Sequence, residues 1–320
     1  AKAERKYSRY VSNSEVQTFK RCRRKWWLAW YRGLHLRVEK PVGVRPIGTR
    51  VHNALKVHYS PDGPLDLLAE LEALITIDRT LLEGQSEAVC KEFEDDANLE
   101  RIMLEGYLEW IAETGVDSEL TIIAPETYIE ATLPEFDDTV IIGKIDVRVR
   151  RNTDDARLFI DHKTVGNLQQ PTALLPQNEQ MLHYQLLELL QLSDEDRRTL
   201  TVGALYNMLR RVKRTARATP PFYARVEVRH NIHEINAYRR RLVGTMAAMF
   251  DVEEQLTQGA SHLSVAYPTP TPNCAWDCPF FAMCTMFDDG SRVEDMTTNI
   301  YDVGDPLSYY QSTMIGGVEL

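Results

Sequence analysis

The 320-residue chain lacks an apolar run of the roughly 18 residues that a transmembrane helix needs. Its first ten residues, AKAERKYSRY, also lack the apolar stretch of a signal peptide, so we expect a cytoplasmic protein with no membrane partner. Low-complexity tracts are absent as well. With 43% hydrophobic and 26% charged residues, the sequence predicts a folded globule rather than a disordered chain.

Cysteine is scarce, and the five residues make an odd number. A chain long enough to bury a large core does not need disulfide bonds for stability, so a disulfide framework is not expected. Three of the five cysteines crowd into CAWDCPFFAMC at 274–284. This crowding favours ligation of a metal ion or cluster.

The chain also lacks the excess of positive charge that is typical of nucleic-acid-binding proteins, since its formal net charge is −10. On average, such a charge repels phosphates. The charges are unevenly distributed, however, and basic stretches occur at 20–27 (KRCRRKWW) and 210–217 (RRVKRTAR). These stretches could form a phosphate-binding face, although the default interpretation of 210–217 is a solvated charge run.

Apolar periodicity predicts a series of helices and strands. The first helix begins at the capping box SNSE, from Ser12 to Glu15, and ends near Gly33. Further helices are predicted over 49–59, 65–114, 176–192 and 233–258, and strands over 119–133, 139–150, 156–163, 200–209 and 222–230. A Pro-rich linker follows at 267–273, and no periodicity persists after about residue 290. This order predicts an α/β fold.

The segment GKIDVRVRRNTDDARLFIDHKTVG, residues 143–166, has the pattern of a β-hairpin with an Asp in each strand. Opposed residues of an antiparallel hairpin lie at equal distances from the centre of the loop. A loop centred between Thr153 and Asp154 therefore places Asp146 opposite Asp161, with Cβ atoms ~5 Å apart. Lys163 points to the same side as Asp161.

Two opposed carboxylates destabilise a sheet unless something binds them, and a divalent cation such as Mg²⁺ or Mn²⁺ is the usual solution for oxygen ligands. Such an ion activates water and neutralises charge on a phosphate, and an adjacent Lys stabilises the same charge. These are the requirements of phosphodiester hydrolysis. The alternative is a surface hairpin whose acids pair with Lys144, Lys163 or the arginines at 148–151.

Four motifs together resemble the RecB-like branch of the PD-(D/E)XK nuclease superfamily. They are His52 in GTRVHNAL, Asp146 in GKID, Asp161 and Lys163 in LFIDHKT, and Gln180 and Tyr184 in QMLHY. The N-terminal SNSEVQTFKRCRRKWWL also resembles the first helix of that branch. The resemblance covers most of residues 12–285 and implies a central mixed sheet flanked by helices. It further implies a single nuclease domain over 1–290, with a helical insertion at about 60–117 and a C-terminal tail at 291–320.

By this resemblance His52, Asp146 and Asp161 are metal ligands, together with the backbone carbonyl of His162, and Lys163 is the catalytic lysine. Asp161 is an allowed variant of the family's acidic position. His162 departs from the aromatic residue often found there. Without the motif, a lone histidine in a first helical turn such as His52 is more often a solvated or capping residue.

The resemblance also implies that Gln180 and Tyr184, one helical turn apart, face the site and orient the DNA strand or the lysine. The alternative for both, stronger for Gln180, is the polar edge of an amphipathic helix. Glu126 aligns loosely with a family acid. His58 and His183 have no motif support and are interpreted as structural.

Cysteines 22, 274, 278 and 284 resemble the ligands of the iron–sulfur nucleases of this branch, the AddB-type and CRISPR-associated exonucleases. That resemblance implies a [4Fe–4S] cluster that joins the N-terminal helix to the C-terminal segment. The family spacing is C-x2-C-x5-C, whereas this chain has C-x3-C-x5-C. Structural Zn²⁺ stays open as an alternative, since spacing alone does not separate the two. Cys90 is interpreted as an ordinary helix residue.

The resemblance predicts a metal-dependent DNA exonuclease of recombination, repair or replication, similar to phage or CRISPR-associated enzymes. Cations at 20–25 beside Trp26, Trp27 and Trp30 suit contact with single-stranded DNA, although the tryptophans could equally be core residues. Two alternatives are a non-catalytic DNA-binding subunit of a helicase–nuclease assembly and a structure-specific endonuclease. A homo-oligomer or a recombination or helicase partner is also conceivable.

Overall fold

The computed structural model describes residues 8–38, 40–199 and 201–310. The strands are β1 Arg9–Ser12, β2 Leu34–Leu36, β3 Leu120–Thr132, β4 Thr139–Arg151, β5 Arg157–Val165, β6 Val202–Arg210, β7 Tyr223–Val228 and β8 Tyr301–Val303. The α-helices are α1 Asn13–Arg21, α2 Arg23–Trp26, α3 Val44–His58, α4 Leu67–Arg79, α5 Glu87–Thr114, α6 Gln169–Leu174, α7 Glu179–Gln191, α8 Asp196–Thr199, α9 Ile232–Thr257, α10 His262–Val265, α11 Cys274–Asp277, α12 Phe281–Cys284 and α13 Val293–Ile300. A π-helical turn, Trp27–Tyr31, follows α2, and short 3₁₀ turns lie at Thr80–Leu82, Leu175–Gln177 and Thr285–Phe287. None of the described helices is long and apolar enough to cross a membrane.

The main sheet has the strand order β1-β4-β5-β6-β7, and β3 also pairs with β4. It is a mixed sheet, because β1–β4 and β5–β6 are parallel whereas β4–β5 and β6–β7 are antiparallel. A parallel pair needs a crossover, and the segment with α6 and α7 provides it between β5 and β6. The predicted α/β fold with a central mixed sheet flanked by helices is thereby confirmed.

The described chain divides into two compact units. The first consists of residues 8–38, 130–143 and 236–310, and the second of 40–129 and 144–235. The first unit contains all the cysteines of the predicted cluster, and the second contains the predicted metal ligands His52, Asp146 and Asp161. The single domain and the boundaries that the sequence predicts stay predictions.

The predicted N-terminal helix begins as expected but is interrupted. Ser12 caps α1 by accepting a hydrogen bond from the Glu15 amide at 3.2 Å. The helix then ends at Cys22, whose backbone is extended with φ −162° and ψ 111°, and α2 starts immediately afterwards. The Cys22 sulfur accepts from the Lys25 amide at 3.4 Å and so caps α2. A capping residue lies outside the helix that it caps, so Cys22 interrupts the helical backbone. One continuous helix was therefore the wrong prediction.

The segment after residue 290 is more ordered than its lack of periodicity predicts. It contains α13, and β8 pairs antiparallel with β2, so that Leu34 lies opposite Val303. The Tyr301 hydroxyl donates to the Pro279 carbonyl at 2.7 Å. A three-residue strand is too short to show a period, which is why the sequence gives no sign of it. Residues 311–320 of the predicted tail lie outside the described residues.

The predicted helical insertion forms α4 and α5, and Gly115 ends α5 in the left-handed conformation, with φ 63°. Arg50 of α3 joins this helical layer through a buried ionic cluster. Its guanidinium donates to Glu100 of α5 at 2.7 to 3.0 Å and to Asp78 of α4 at 2.7 Å. Arg50 is 2% exposed and Glu100 is fully buried. The cluster therefore fixes α3, the helix that carries His52.

Replacing Arg50 with Met is expected to lower the free energy of unfolding by about 3 kcal/mol, because Glu100 loses its buried partner. Burial already raises the pKa of Glu100 to about 7 against the lowering effect of Arg50. Without Arg50 this pKa rises further, so the folded state holds a proton that the unfolded state has released. The loss of stability should therefore grow between pH 6 and 8.

Urea denaturation at both pH values measures this effect. Lys56→Met on the exposed side of α3 is the matched control and should change the unfolding free energy by less than about 0.5 kcal/mol. Equal losses in the two variants would contradict the role assigned to Arg50.

Candidate active site

The β4–β5 hairpin has the register that the sequence predicts. Val147 lies opposite Ile160 at the end of the paired region, and the same register continued by one position places Asp146 opposite Asp161. The amide of His162 donates to Oδ2 of Asp146 at 2.8 Å. Because side chains alternate along a strand, Asp146, Asp161 and Lys163 share one side of the sheet, here called the acid–lysine face.

Asp161 and Lys163 form a close ion pair on this face. Nζ of Lys163 lies 2.6 Å from Oδ2 of Asp161, whose side chain is only 2% exposed. Burial raises the pKa of Asp161, and Lys163 offsets only part of this rise. Burial lowers the pKa of Lys163, but Asp161 and Asp146 outweigh it, so the net pKa is raised. Lys163 is therefore held as a cation beside Asp161 and is able to stabilise negative charge.

His52 of α3 reaches the same acids from the helical layer. Its Nδ1 lies 3.3 Å from Oδ2 of Asp146. Burial lowers the pKa of His52, but the Asp146 carboxylate more than compensates, so the pKa is raised overall. Burial raises the pKa of Asp146, yet His52 and Lys163 hold it below its ordinary value. The structure thus brings His52, Asp146, Asp161 and Lys163 together.

Helix α7 carries the two other predicted site residues. Asn178 caps α7 by accepting from the amides of Gln180 and Met181. The Gln180 amide group donates to the Tyr184 hydroxyl at 3.2 Å, and the Tyr184 ring meets Phe159 edge-on at 5.5 Å. Phe159 lies two positions before Asp161 and shares its side of the sheet. Gln180 and Tyr184 therefore lie on the helix that packs on the acid–lysine face.

Tyr206 belongs to the site although no motif predicts it. It lies beside Asp161 in the parallel register of β5 and β6 and is 6% exposed. Burial raises the pKa of Tyr206, while nearby Lys163 lowers it. The parallel pairing of distant strands brings Tyr206 here, and only that pairing, which the local sequence does not encode, could have identified it.

On the side of the sheet opposite to the acid–lysine face, a buried polar network binds the His162 side chain. The Asn207 side chain is oriented by Arg225, which donates to its Oδ1 at 3.0 Å. The amide nitrogen of Asn207 then lies 2.9 Å from Nδ1 of His162 and 3.0 Å from the Tyr107 hydroxyl. Nδ1 of His162 must then accept, and the ring proton lies on Nε2, which has no hydrogen-bond partner in the described ranges. Burial lowers the pKa of His162 well below its ordinary value, so the ring is neutral. The network therefore fixes β5 from the opposite side of the sheet.

Glu126, the loosely aligned family acid, pairs with Lys144. Lys144 lies two positions before Asp146 on β4 and so projects from the same side of the sheet. The backbone of Glu126 is in the left-handed region, with φ 49°. A non-glycine residue in that region is strained, and such strain is concentrated at functional sites. Glu126 thus lies next to the acid–lysine face, with its charge offset by Lys144.

In the first unit, backbone amides surround the sulfurs of two of the four predicted cluster ligands. The amides of Lys25 and Thr269 both donate to Sγ of Cys22 at 3.4 Å, and the Thr271 amide donates to Sγ of Cys274 at 3.3 Å. Burial raises the pKa of the Cys278 thiol, and Cys22 and Cys274 are close enough to raise it further. All the cysteines of the chain are free of disulfides.

Within 8–38, 40–199 and 201–310, no group of three or more His, Cys, Asp and Glu side chains is arranged to hold a metal ion. At the acid–lysine face the carboxylates instead bind His52, the His162 amide and Lys163. The donor set nevertheless fits a divalent cation, because Mg²⁺ and Mn²⁺ prefer carboxylate oxygens and Oδ2 of Asp161 is buried without a well-directed hydrogen bond. The four thiols, two of which accept from backbone amides, have the chemistry of ligands to a thiolate-bound metal or cluster.

A mixed sheet that carries two acids beside a lysine cation has the chemistry that phosphodiester hydrolysis requires. A family model for the PD-(D/E)XK nuclease superfamily matches residues 10–285. The chain belongs to the PD-(D/E)XK nuclease superfamily. Membership implies a nuclease, a hydrolase that acts on DNA, and members of the superfamily typically use Mg²⁺ or Mn²⁺. Among curated proteins, none matches the chain.

Proposed function

We propose that the protein is a metal-dependent DNA exonuclease that hydrolyses phosphodiester bonds at single-stranded ends. The observation that carries this proposal is the acid–lysine face, where the Lys163 ammonium pairs with Asp161 and is also close enough to Asp146 to interact with its charge. A retired site in a non-catalytic subunit would be free to lose these three side chains, so their presence favours catalysis.

In this proposal His52, Asp146 and Asp161 would hold the cation with the carbonyl of His162. When bound there, the cation would supply Lewis-acid chemistry and make water more acidic. Lys163 remains protonated beside Asp161 and stabilises the negative charge that develops on the phosphate. Its short ion pair holds the ammonium group in place before substrate binds.

Gln180 and Tyr184 would orient the DNA strand or Lys163. Their mutual hydrogen bond fixes both side chains relative to α7, and the contact of Tyr184 with Phe159 fixes α7 relative to β5. A pair fixed in this way can position a substrate with little loss of side-chain entropy. Tyr206, beside Asp161, extends the same polar surface.

Digestion of linear and covalently closed circular single-stranded DNA with Mn²⁺ distinguishes the candidate activities. The proposed exonuclease degrades the linear strand to short products and leaves the circle intact. Cleavage of the circle would identify an endonuclease, and stoichiometric binding without cleavage of either substrate would identify a non-catalytic subunit. A forked or flapped duplex in parallel tests for a structure-specific endonuclease.

We further propose that Cys22, Cys274, Cys278 and Cys284 bind a [4Fe–4S] cluster. The amide donors on two of the sulfurs support this assignment, since hydrogen bonds to sulfur stabilise thiolate ligands. Structural Zn²⁺ is the alternative for the same four thiols. Either metal would join α2 to the segment with α11 and α12, and residence in the reducing cytoplasm would keep the thiols available.

Protein purified without oxygen is expected to be coloured and to contain about four irons per chain, because a [4Fe–4S] cluster absorbs visible light and holds four irons. Cys22→Ser should abolish the colour and most of the bound iron, whereas Cys90→Ser, in α5, should leave both unchanged. Metal analysis and an absorbance spectrum give the readout. A colourless wild type that contains one zinc would show that the four cysteines bind zinc and no cluster. Equal metal content in Cys22→Ser and wild type would show that Cys22 is not a ligand.

A further inference from the structure

A basic groove of about 550 Å³ lies in the first unit, and none of its lining residues belongs to the acid–lysine face. The end of α1 and start of α2 form one side, residues 267–269 the other, and α9 the floor. The lining residues include Lys20, Arg23, Arg241, Phe19, Tyr267 and Gly244. Three of these are cations, and none of the described lining residues is acidic. The groove is thus positively charged, although the chain as a whole has a net charge of −10.

Arg23 is held ready for an anion. Its guanidinium carbon lies within cation–π distance of two rings, 5.2 Å from the centroid of Phe19 and 5.1 Å from that of Tyr267. The neighbouring Arg21 and Arg24 are neutralised by ion pairs with acidic residues. Within the described residues Arg23 has no such carboxylate partner. Contacts with two rings restrict the motion of the guanidinium, which reduces the entropy lost when it binds phosphate.

The walls of the groove are fixed by backbone contacts. The Arg24 amide donates to the Tyr267 carbonyl at 3.2 Å, and the Thr269 amide donates to the Cys22 sulfur at 3.4 Å. Tyr267 is 43% exposed, so its ring is both positioned and accessible. At the floor, a Cβ added to Gly244 would meet no atom within 4 Å, so the space above α9 is open.

We propose that this groove binds a single DNA strand, with Arg23, Lys20 and Arg241 on successive phosphates and the Tyr267 ring against a base. Cations that follow a backbone beside an exposed aromatic ring are the recognition elements for single-stranded nucleic acid. The identity of the anion as DNA rests on the proposed nuclease function. The groove itself is a binding site additional to the acid–lysine face.

Fluorescence anisotropy of a labelled oligothymidylate in EDTA measures binding without cleavage. Arg241→Glu is expected to weaken binding at least about tenfold at low salt and to reduce the slope of log K against log salt by about 0.7 per lost phosphate contact. Gly244→Trp, which fills the groove without changing charge, should weaken binding as well. Arg240→Glu is the matched control, because it makes the same charge change at the adjacent, exposed position on α9 outside the groove.

Loss of affinity in Arg241→Glu and Gly244→Trp, with wild-type affinity in Arg240→Glu, supports the groove. Equal weakening by Arg240→Glu and Arg241→Glu, or unchanged binding by Gly244→Trp, overturns it. An oligoglutamate peptide that displaces the strand as effectively as unlabelled oligothymidylate would assign the groove to acidic peptides instead. Because binding is measured without cleavage, an inactive wild type that still binds through the groove refutes only the proposed nuclease function.

Discussion

Asp161→Asn is expected to reduce metal-dependent DNA cleavage at least about a thousandfold. The substitution keeps the size of the side chain but removes the charge that Lys163 contacts at 2.6 Å and that a divalent cation requires. Asp146 alone cannot compensate, because it is already engaged by His52 and by the His162 amide. Binding of Mn²⁺, measured by isothermal titration calorimetry without DNA, should weaken in parallel with the rate.

Asp155→Asn is the matched control for this variant. Asp155 lies in the exposed loop of the same hairpin with φ 56°, a conformation that Asn tolerates well, and its ion pair with Arg150 is exposed. The control should cleave and bind Mn²⁺ like the wild type. Wild-type Mn²⁺ affinity in Asp161→Asn would show that this carboxylate is not a ligand, even if the rate falls.

Lys163→Ala is expected to lower the single-turnover rate of cleavage by about two to three orders of magnitude. The raised pKa of Lys163 means that the wild type carries a full positive charge beside Asp161 at neutral pH, and Ala removes it. In contrast to Asp161→Asn, this variant should bind Mn²⁺ at least as tightly as the wild type, because a competing cation has gone. The two variants thus separate charge stabilisation from metal binding.

Single-turnover kinetics at saturating protein, with Mn²⁺ affinity measured separately, tests this separation. Lys56→Ala, on the exposed side of α3, removes the same charge elsewhere in the second unit and should leave both quantities unchanged. A cleavage rate for Lys163→Ala within about tenfold of the wild-type rate would show that Lys163 does not stabilise the charge that develops on the phosphate.

The hairpin and its register could be predicted because both depend on local pattern. The alternation of β4 and β5 and the polar loop between them determine which residues are opposed, so the placement of Asp146 against Asp161 follows from spacing alone. The cap of α1 at Ser12 and the end of α5 at Gly115 are likewise local signals. The family motifs added the histidine on α3, which is remote in sequence.

The residues that could not be predicted depend on pairing between distant segments. Tyr206 and Asn207 reach the site because β6 runs parallel to β5 across a crossover, and no local period encodes that register. The ion pair of Glu126 with Lys144 depends on how β3 lies against β4. The break at Cys22 depends on a sulfur that accepts from a backbone amide, whereas the apolar period continues through it.

The most direct test of the account follows release of label from end-labelled single-stranded DNA by the wild type, Asp161→Asn and Lys163→Ala, each with Mn²⁺ and with EDTA. The account predicts release by the wild type with Mn²⁺ alone, and rates at least about a hundredfold lower in both variants. Equal release by all three proteins, release in EDTA, or no release by the wild type with Mn²⁺ would contradict a metal-dependent site at the acid–lysine face.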